Sequence, residues 1–533
     1  MLLSFGRQTV SQYRSLPSKE ERRIIIINVL GFAGYCLFFF LLKDFGATAA
    51  TFVSGKEIYH AQEFRWIYDA ANPPLYTWLL YLLNQALGTG LTAIFVLNYL
   101  LLFLIFVATL LLARHVLRSA ALAALAAWSL LLIGYIHNIH YTQSHSLVAI
   151  IFYTLALTFV MRATESRSAP DYAAAGVAIG AGLLSKFIML GTAGAMVVAA
   201  LVRKPSRIGV LNRKSAITVA LAALIFVPLV VAASDQWSRL VWAYRDRTGQ
   251  LRADGYISGL MDGLASLISG LAWYALPLTI VLLIAVIPVV WGRRNPDWQE
   301  VGSSASQDRV AFLVMTMAVG LAMIVISILA GEVTKMRARF LAAFFYPLPI
   351  VAVALLIRYA PDRAAFWRYR AGILVVGSAT VAIRVINLSP ICFDPCLDLV
   401  PYPRLSQHLY EAGFRQGTIL ARGVTLAGNL LLTFPKSRAD VGVDPFTPHR
   451  LLAGRNGQCL IIWRAGAVPA GTVPKELIAV AGISLQAAKD RTRSVTIDWR
   501  WHGRPIVNPM QSWEPRRTTW HYILLDPGTS SCR

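Results

Sequence analysis

Charge is scarce in this sequence, and negative charge most of all. Of 533 residues only 14% are charged, and Lys and Arg outnumber Asp and Glu by 50 to 27, for a formal net charge of +23. Few carboxylates means few candidates for acid–base work. Cysteine is sparse as well, five in all. There is no basic arm and no nucleic-acid motif, so the positive charge does not read as a nucleic-acid interface. The absence of an internal repeat, and of many charges inside the apolar runs, argues against a secondary transporter. What is abundant is apolar: 56% of residues are hydrophobic and the mean hydropathy is +0.56. Runs of about 16 to 25 apolar residues recur, the length needed to cross a ~30 Å hydrocarbon core. A soluble multidomain protein of this size would not carry so many. The composition predicts a polytopic α-helical membrane protein.

About eleven spans are expected, over residues 24–42, 91–113, 119–136, 146–161, 172–184, 187–202, 215–233, 270–291, 311–330, 340–357 and 371–388. Residues 74–87 are apolar but short, and are assigned to a juxtamembrane helix on the outer surface. The basic N-terminal stretch with Arg7, Arg14, Lys19, Arg22 and Arg23 precedes a run too long for a signal-peptide core, so a retained anchor is expected. Counting Lys and Arg in short loops puts that N-terminus inside. It puts the clusters Arg114/Arg118, Arg162/Arg167, Arg203 to Lys214, Arg293/Arg294/Arg309 and Arg358 to Arg370 on the same side. Were residues 74–87 a span, all of these would flip. The exceptions, on the outer side, are Lys186, the set Arg239, Arg245, Arg247 and Arg252, and Lys335-Met336-Arg337-Ala338-Arg339. Recognition of an anionic lipid headgroup explains cations that defy the rule. Contact with bulk anionic lipid, or plain solvation, is the alternative.

From residue 389 the pattern becomes that of a soluble segment, and residues 389–533 are expected outside as a small α/β domain. A helix is predicted over 405–414, ending near Gly413, and strands over 460–464, 494–500 and 520–525. Asp394, Asp398 and the histidines of this segment read as solvated surface. Cys36 lies alone in the first span, whereas Cys392, Cys396, Cys459 and Cys532 all fall in the outer tail. An oxidising compartment permits disulfides there. Cys392–Cys396 with Cys459–Cys532 is the preferred pairing among three connectivities, and a zinc site built from all four thiolates is the alternative.

After the first span the chain reads Phe64-Arg65-Trp66-Ile67-Tyr68-Asp69-Ala70-Ala71-Asn72-Pro73-Pro74-Leu75-Tyr76-Thr77-Trp78-Leu79. The two prolines remove two backbone donors and force Asn72 out of the α region. The aromatics suit a membrane–water interface. This stretch resembles the Tyr-(x)-Pro-Pro-Leu-(x)-(x)-Trp signature in the first outer loop of the polyprenol-phosphate-dependent GT-C glycosyltransferases. The similarity is greatest to the bacterial branch that decorates lipid A and lipopolysaccharide core with galacturonic acid or aminoarabinose; protein mannosyltransferases share the type. Gly182-Leu183-Leu184-Ser185-Lys186 resembles the family's Gly-Leu-(x)-(Ser/Thr)-Lys at a span end. Arg337-Ala338-Arg339-Phe340-Leu341 resembles the branch's Lys-Asp-Arg-Trp-(Leu/Met), with Ala338 in the Asp place. Gly417-Thr418-Ile419 and Ala427-Gly428-Asn429-Leu430 resemble the start of the outer domain of the galacturonic-acid-transferring branch. The loop His137 to Ser146 matches an outer loop that often carries a polar or acidic residue.

The resemblance implies a GT-C transmembrane domain over residues 1–388, with its catalytic first outer loop at 43–90, and an outer domain over 389–533. It implies transfer of a sugar from a polyprenyl-phosphate carrier to lipid A, lipopolysaccharide core or another envelope acceptor, with inversion, at the periplasmic face of a bacterial inner membrane. The expected protein is a monomer with the carrier lipid as its donor substrate. No cofactor is firmly implied, and a divalent metal is left open. Lys186, Arg337, Arg339 and Arg245 are the candidates for the donor phosphate, and Tyr68, Asn72, Pro73, Pro74 and Tyr76 form the substrate loop. The carboxylate is the departure. Val53 and Ser54 stand where the resemblance implies an acidic pair, and neither is a base. Glu57, one turn along and sharing a face with His60, is the leading replacement. Asp69 and Asp44 compete, and so does a homologue without a base that binds or transports a sugar lipid. Lys56, beside Glu57, is expected to keep it ionised. His137, His140 and His145 are read as hydrogen-bonding the acceptor or headgroup, as interfacial packing or as a metal site; their spacing does not fit a helical His pair. Alkaline phosphatase fused after Arg533 is expected to be active, and a cytoplasmic readout overturns the topology.

Overall fold

The computed structural model describes residues 18–70, 72–136, 144–250, 255–292, 304–360, 363–389, 397–442, 457–467, 469, 472–499 and 516–527. The chain is a multi-pass helical membrane protein with a small C-terminal sheet domain. Among the described residues seven helices are long and apolar enough to cross a membrane. In chain order the helices used below are α1 (Ser18–Gly46), α2 (Phe52–His60), α3 (Leu75–Leu87), α4 (Leu91–Leu117), α5 (Ala120–Trp128), α6 (Ser144–Ser166), α7 (Ala169–Leu183), α8 (Met189–Val202), α9 (Ser215–Ala232), α10 (Trp237–Thr248), α11 (Tyr256–Gly292), α12 (Ser304–Leu329), α13 (Ala338–Phe345), α14 (Leu348–Tyr359), α15 (Arg363–Asn387), α16 (Tyr402–Glu411) and α17 (Val424–Thr433). The long ones are α1, α4, α6, α9, α11, α12 and α15.

Every run expected as a span is helical, but not all are long. Helices α13 and α14 meet at a 58° bend, and they pass as an eighth span only if taken together. The expected span at 119–136 is broken, and those at 172–184 and 187–202 are separate helices, as drawn, each too short to count as a crossing by itself. A tight 3-10 turn at Ser129–Leu132 interrupts the first, and the turn at Leu184 to Ile188 separates the 15-residue α7 from the 14-residue α8. Hydropathy reads apolar content, and it is blind to a break such as the one at Ser129. Residues 74–87 do form a short helix, α3, as expected.

The chain divides into two compact units. One comprises Met1–Leu37, Ala70–Leu75 and Leu100–Thr380; the other comprises Phe38–Asp69, Tyr76–Tyr99 and Val381–Arg533. In the first unit Phe32 stacks on Phe106 at 4.1 Å between ring centroids and meets the edge of Trp128 at 5.3 Å. The Trp128 indole donates to Asn28 at 2.9 Å. Helices α7 and α9 pack through glycines: a Cβ on Gly176 would lie 2.7 Å from the Thr218 carbonyl, and one on Gly180 2.9 Å from Ile225 Cβ. Small residues that let backbones approach are how apolar helices associate where lipid competes equally for side chains. Glu21 pairs with Arg114, Arg203 with Asp308, and Arg309 with Glu165. Charge counting had put all six residues on one side.

The second unit contains a five-stranded sheet of order β2-β1-β3-β5-β4, with β1 (Gly417–Ala421), β2 (Arg438–Asp440), β3 (Gln458–Arg464), β4 (Arg493–Trp499) and β5 (Arg516–Leu525). Strands β2, β1 and β3 run parallel, and β3, β5 and β4 run antiparallel. Helix α17 supplies the crossover from β1 to β2. Trp463, Leu477 and Ile523 anchor a buried core under the sheet. The predicted helix near 405–414 begins at Tyr402, because Pro403 in its first turn costs no hydrogen bond there. Cys459 is held in a disulfide, and Cys36 is free and buried. Cys392, Cys396 and Cys532 lie outside the described residues, as does Asp394. Asp398 is not solvated surface. It is buried and pairs with Lys43 at 3.3 Å, and its carbonyl accepts Thr48 N–H at 2.8 Å. Two distant segments shield both charges from water, an arrangement that local polarity does not announce.

Gly176→Ala is expected to destabilise by about 1–3 kcal/mol through overpacking against a helix backbone. Gly34→Ala, with nothing within 4 Å of its Cβ, is expected to be neutral or better. Melting curves of the purified proteins in detergent compare the two.

Candidate active site

Helix α2 begins at a Thr51 cap and carries the loop's acid–base groups. Glu57 is 1% exposed, and its Oε2 accepts the Thr77 hydroxyl at 2.7 Å. Tyr76 and Thr77 open α3, directly after the two prolines. Tyr76 is fully buried and donates to Asn98 at 2.8 Å. Burial, and then the Glu57 carboxylate, push its phenol well above the usual tyrosine range. The Tyr68 hydroxyl donates to the Glu63 carbonyl at 2.8 Å and accepts Arg65 N–H at 2.7 Å, and burial pushes it up to about 12. Both phenols therefore stay protonated at neutral pH and feel the same carboxylate. The His60 ring lies 5.9 Å from that of Tyr68.

The competing carboxylates are committed differently. Asp69 is 4% exposed and ion-paired with Lys56. Lys56 thus serves Asp69, not Glu57 as expected, because neighbours in a helix point about 100° apart and do not face each other. Asp44, half-buried at the end of α1, accepts the Thr92 hydroxyl at 2.8 Å and so ties α1 to the start of α4. The Trp78 indole donates to Arg65 O at 2.6 Å, and Phe64 and Trp66 pack on its ring. Pro73 and Pro74 are buried, and Asn72 is half-buried.

The cations gather in the first unit. Lys186 sits in the turn after α7, its N–H bonded to Gly182 O at 2.9 Å. The Leu184 carbonyl in the same turn accepts Leu75 N–H at 3.0 Å, the first donor after the two prolines. Arg247 lies in the last turn of α10, which ends at Gly249 with φ +84°. A side chain at Gly249 would crowd Thr334, so glycine lets the 334–335 turn approach. The Thr248 carbonyl accepts Thr334 N–H at 2.9 Å and Lys335 N–H at 2.8 Å, and Ser266 Oγ accepts Met336 N–H at 2.7 Å. These bonds carry the chain into α13, where Arg339 stands. Burial, and then the Arg339 and Arg247 guanidiniums, hold the Lys186 ammonium well below the usual lysine range. Lys186 thus lies in the field of two guanidiniums from other segments, a field that an anion relieves.

Arg245 and Arg337 are exposed. The reading of the sequence singled out Arg245, whereas Arg247 is the one that acts on Lys186. Two positions apart on a helix, they point to different faces, and composition does not say which faces Lys186. His145 is buried in the first turn of α6 rather than presented on a loop. His137 and His140 lie outside the described residues. Among the described residues no three His, Cys, Asp or Glu side chains stand together as a metal site.

Two ArnT structures from Cupriavidus metallidurans, one apo and one bound to undecaprenyl phosphate, superpose with TM-scores of 0.53 and 0.52 at 13% identity, covering 92% of this chain and 97% of that one. The chain has the fold of these ArnT structures. Residues 71–231 match the family described as dolichyl-phosphate-mannose-protein mannosyltransferase. The lipopolysaccharide core galacturonosyltransferase RgtB of Rhizobium johnstonii is 29% identical over 284 residues, 52% of this chain. That alignment spans about half of RgtB, 55% of its length. RgtA from the same organism is 26% identical over 433 residues, 78% of this chain and 83% of that protein.

A depressed lysine gives a test with a definite sign. The folded pKa of Lys186 lies below its free value of about 10.4. The penalty of charging it is therefore fully present below the folded pKa and is relieved as pH rises towards the free value. Lys186→Met is expected to raise the melting temperature of the ligand-free protein at neutral pH and to flatten its pH dependence over that window. The same variant, and Arg339→Ala, are expected to weaken polyprenyl-phosphate binding ten- to a hundredfold, about 1.5–3 kcal/mol for a lost charge-assisted bond. Wild-type affinity in both variants removes the phosphate role.

Proposed function

We propose that the chain is a membrane glycosyltransferase that moves a sugar from a polyprenyl-phosphate carrier to lipid A or lipopolysaccharide core on the periplasmic side of a bacterial inner membrane. The observation that carries this reading is the turn after α7, which bonds Leu75 N–H of the Pro-Pro motif and holds Lys186 within the field of Arg339 and Arg247. Like charges held in one another's field at helix ends make sense around a phosphate. The name of the relatives RgtA and RgtB, and the undecaprenyl phosphate bound to ArnT, point the same way. So does the motif Asn72-Pro73-Pro74-Leu75. The surplus of outer arginines favours a uronate donor, whose carboxylate needs a cation beyond those on the phosphate.

In this reading an acceptor hydroxyl attacks the anomeric carbon as the bond from that carbon to the phosphate oxygen breaks. The electron pair leaves on polyprenyl phosphate, and the cations stabilise the charge that develops there. The configuration inverts in a single displacement. The acceptor proton goes to a carboxylate, and Glu57 is the one assigned. It is buried, acts on both motif tyrosines and accepts the Thr77 hydroxyl, whereas Asp69 is ion-paired with Lys56 and Asp44 ties two helices together. The second reading, a homologue that binds or transports a sugar lipid without transfer, draws on Val53 and Ser54 at the usual acidic position.

The test is incubation of the purified protein with polyprenyl-phosphate-linked galacturonate and aminoarabinose and an acceptor lipid, with released polyprenyl phosphate as the readout. Glu57→Gln is expected to lower turnover about 10²-fold or more with carrier binding intact. Full activity in Glu57→Gln together with loss in Asp69→Asn or Asp44→Asn moves the role to that residue. No turnover by the wild type with any donor supports the binding reading.

A further inference from the structure

The segment that carries Glu57 is held at both ends by side-chain amides, and neither amide belongs to the acid–base set. Before α2, Asn429 on α17 makes a two-way bond to the backbone of Ala50: Oδ1 accepts its N–H at 2.8 Å and Nδ2 donates to its carbonyl at 3.0 Å. After α2, Gln62 makes the same two-way bond to Ala439, accepting its N–H at 2.8 Å and donating to its carbonyl at 3.2 Å. Ala439 lies on β2, the edge strand of the sheet. An open strand edge presents unpaired donors and acceptors, and the Gln62 amide fills that place as a further strand would. Between the two clasps Gly55 and Gly428 bring the helix backbones into contact, since a Cβ on Gly428 would overlap the Gly55 carbonyl. Glu63 then bonds Arg438 at 2.9 Å.

We propose that Gln62 and Asn429 are positioning residues, through which the C-terminal sheet domain fixes the orientation of α2 and hence of the Glu57 carboxylate. Their two-way bonds go to backbone atoms of Ala50 and Ala439, not to Glu57 or Thr77. Their effect is on where the helix ends lie. A carboxylate displaced by about 1 Å from its reacting partner costs up to about 10²-fold in rate, so the clasp acts on turnover and not on carrier affinity. The inference rests on the glycosyltransferase reading for the reaction in which it is seen, while the clasp itself is measurable without that reaction.

The experiment uses full-length wild type, Gln62→Ala, Asn429→Ala and Gln62→Glu, purified in detergent. It records kcat and KM for polyprenyl-phosphate-linked galacturonate, melting temperature, and hydrogen exchange of the amides in residues 52–60. Gln62→Ala and Asn429→Ala are expected to lower kcat about ten- to a hundredfold with KM unchanged, and to speed exchange in α2 with little change in melting temperature. Gln62→Glu keeps the acceptor for Ala439 N–H and loses the donor, so its kcat should fall between. Wild-type kcat in both alanine variants overturns the proposal. So does a parallel loss of kcat, KM and melting temperature, which marks a merely structural role. If the wild type is inactive, the transfer reading fails on its own, and exchange decides the clasp: faster exchange confined to α2 supports it, and unchanged exchange overturns it.

Discussion

Inside a hydrocarbon layer every backbone donor and acceptor has to be satisfied within its own segment, and this constraint sorts the whole chain. Long stretches are given over to helices with no polar work to do, and the chemistry is pushed to the places where helices stop. Lys186 stands in the turn after α7, Arg247 in the last turn of α10, and Arg339 at the start of α13. The Pro73-Pro74 pair leaves two fewer donors to satisfy, and the first donor after it goes to the Leu184 carbonyl, one residue before Ser185-Lys186. Helix ends are the polar points that the apolar runs leave available, and cations and loop motifs collect there.

The scarcity of carboxylates gives the second unit its character. With 27 acidic residues in 533, the chain commits those near the loop individually. Asp398 anchors Lys43, Asp69 neutralises Lys56, Asp44 ties α1 to α4, and Glu63 bridges Arg65 and Arg438. Glu57 and Asp44 instead accept neutral hydroxyls, from Thr77 and Thr92, and of the two Glu57 is the buried one. Its environment differs from that of Asp69, and carboxylates with different surroundings are how one site divides acid and base roles.

Much of the architecture was legible because burial in lipid and pairing in a sheet both leave periodic traces. The runs that became α1, α4, α6 and α12, the short α3, and strands β3, β4 and β5 could be drawn from apolar length and alternation alone. What was not legible depends on side-chain direction or on distant partners. Nothing in Lys56-Glu57 says that the lysine turns away to Asp69. Nothing in Arg245-Asp246-Arg247 says which arginine faces Lys186. Asp398 read as surface because its partner Lys43 lies at the far end of the chain. Asn429 stood in a motif without a job, and nothing near Gln62 names its partner Ala439. Both act through backbone atoms, which sequence patterns do not record.

The contact between Gly55 and Gly428, and the Asn429 bond to Ala50 across 379 positions, also impose an order on biogenesis. The segment carrying α2 leaves the ribosome early, but the surface it folds against is made much later. At a synthesis rate of roughly 5–20 residues per second, α2 waits on the order of 20–80 s for α17. During that interval the early spans are already inserting while the acid-bearing loop lacks its template. A truncated product would insert in the membrane and still lack a finished loop. The placing of α2 is therefore tied to the synthesis of α17, about 370 residues later.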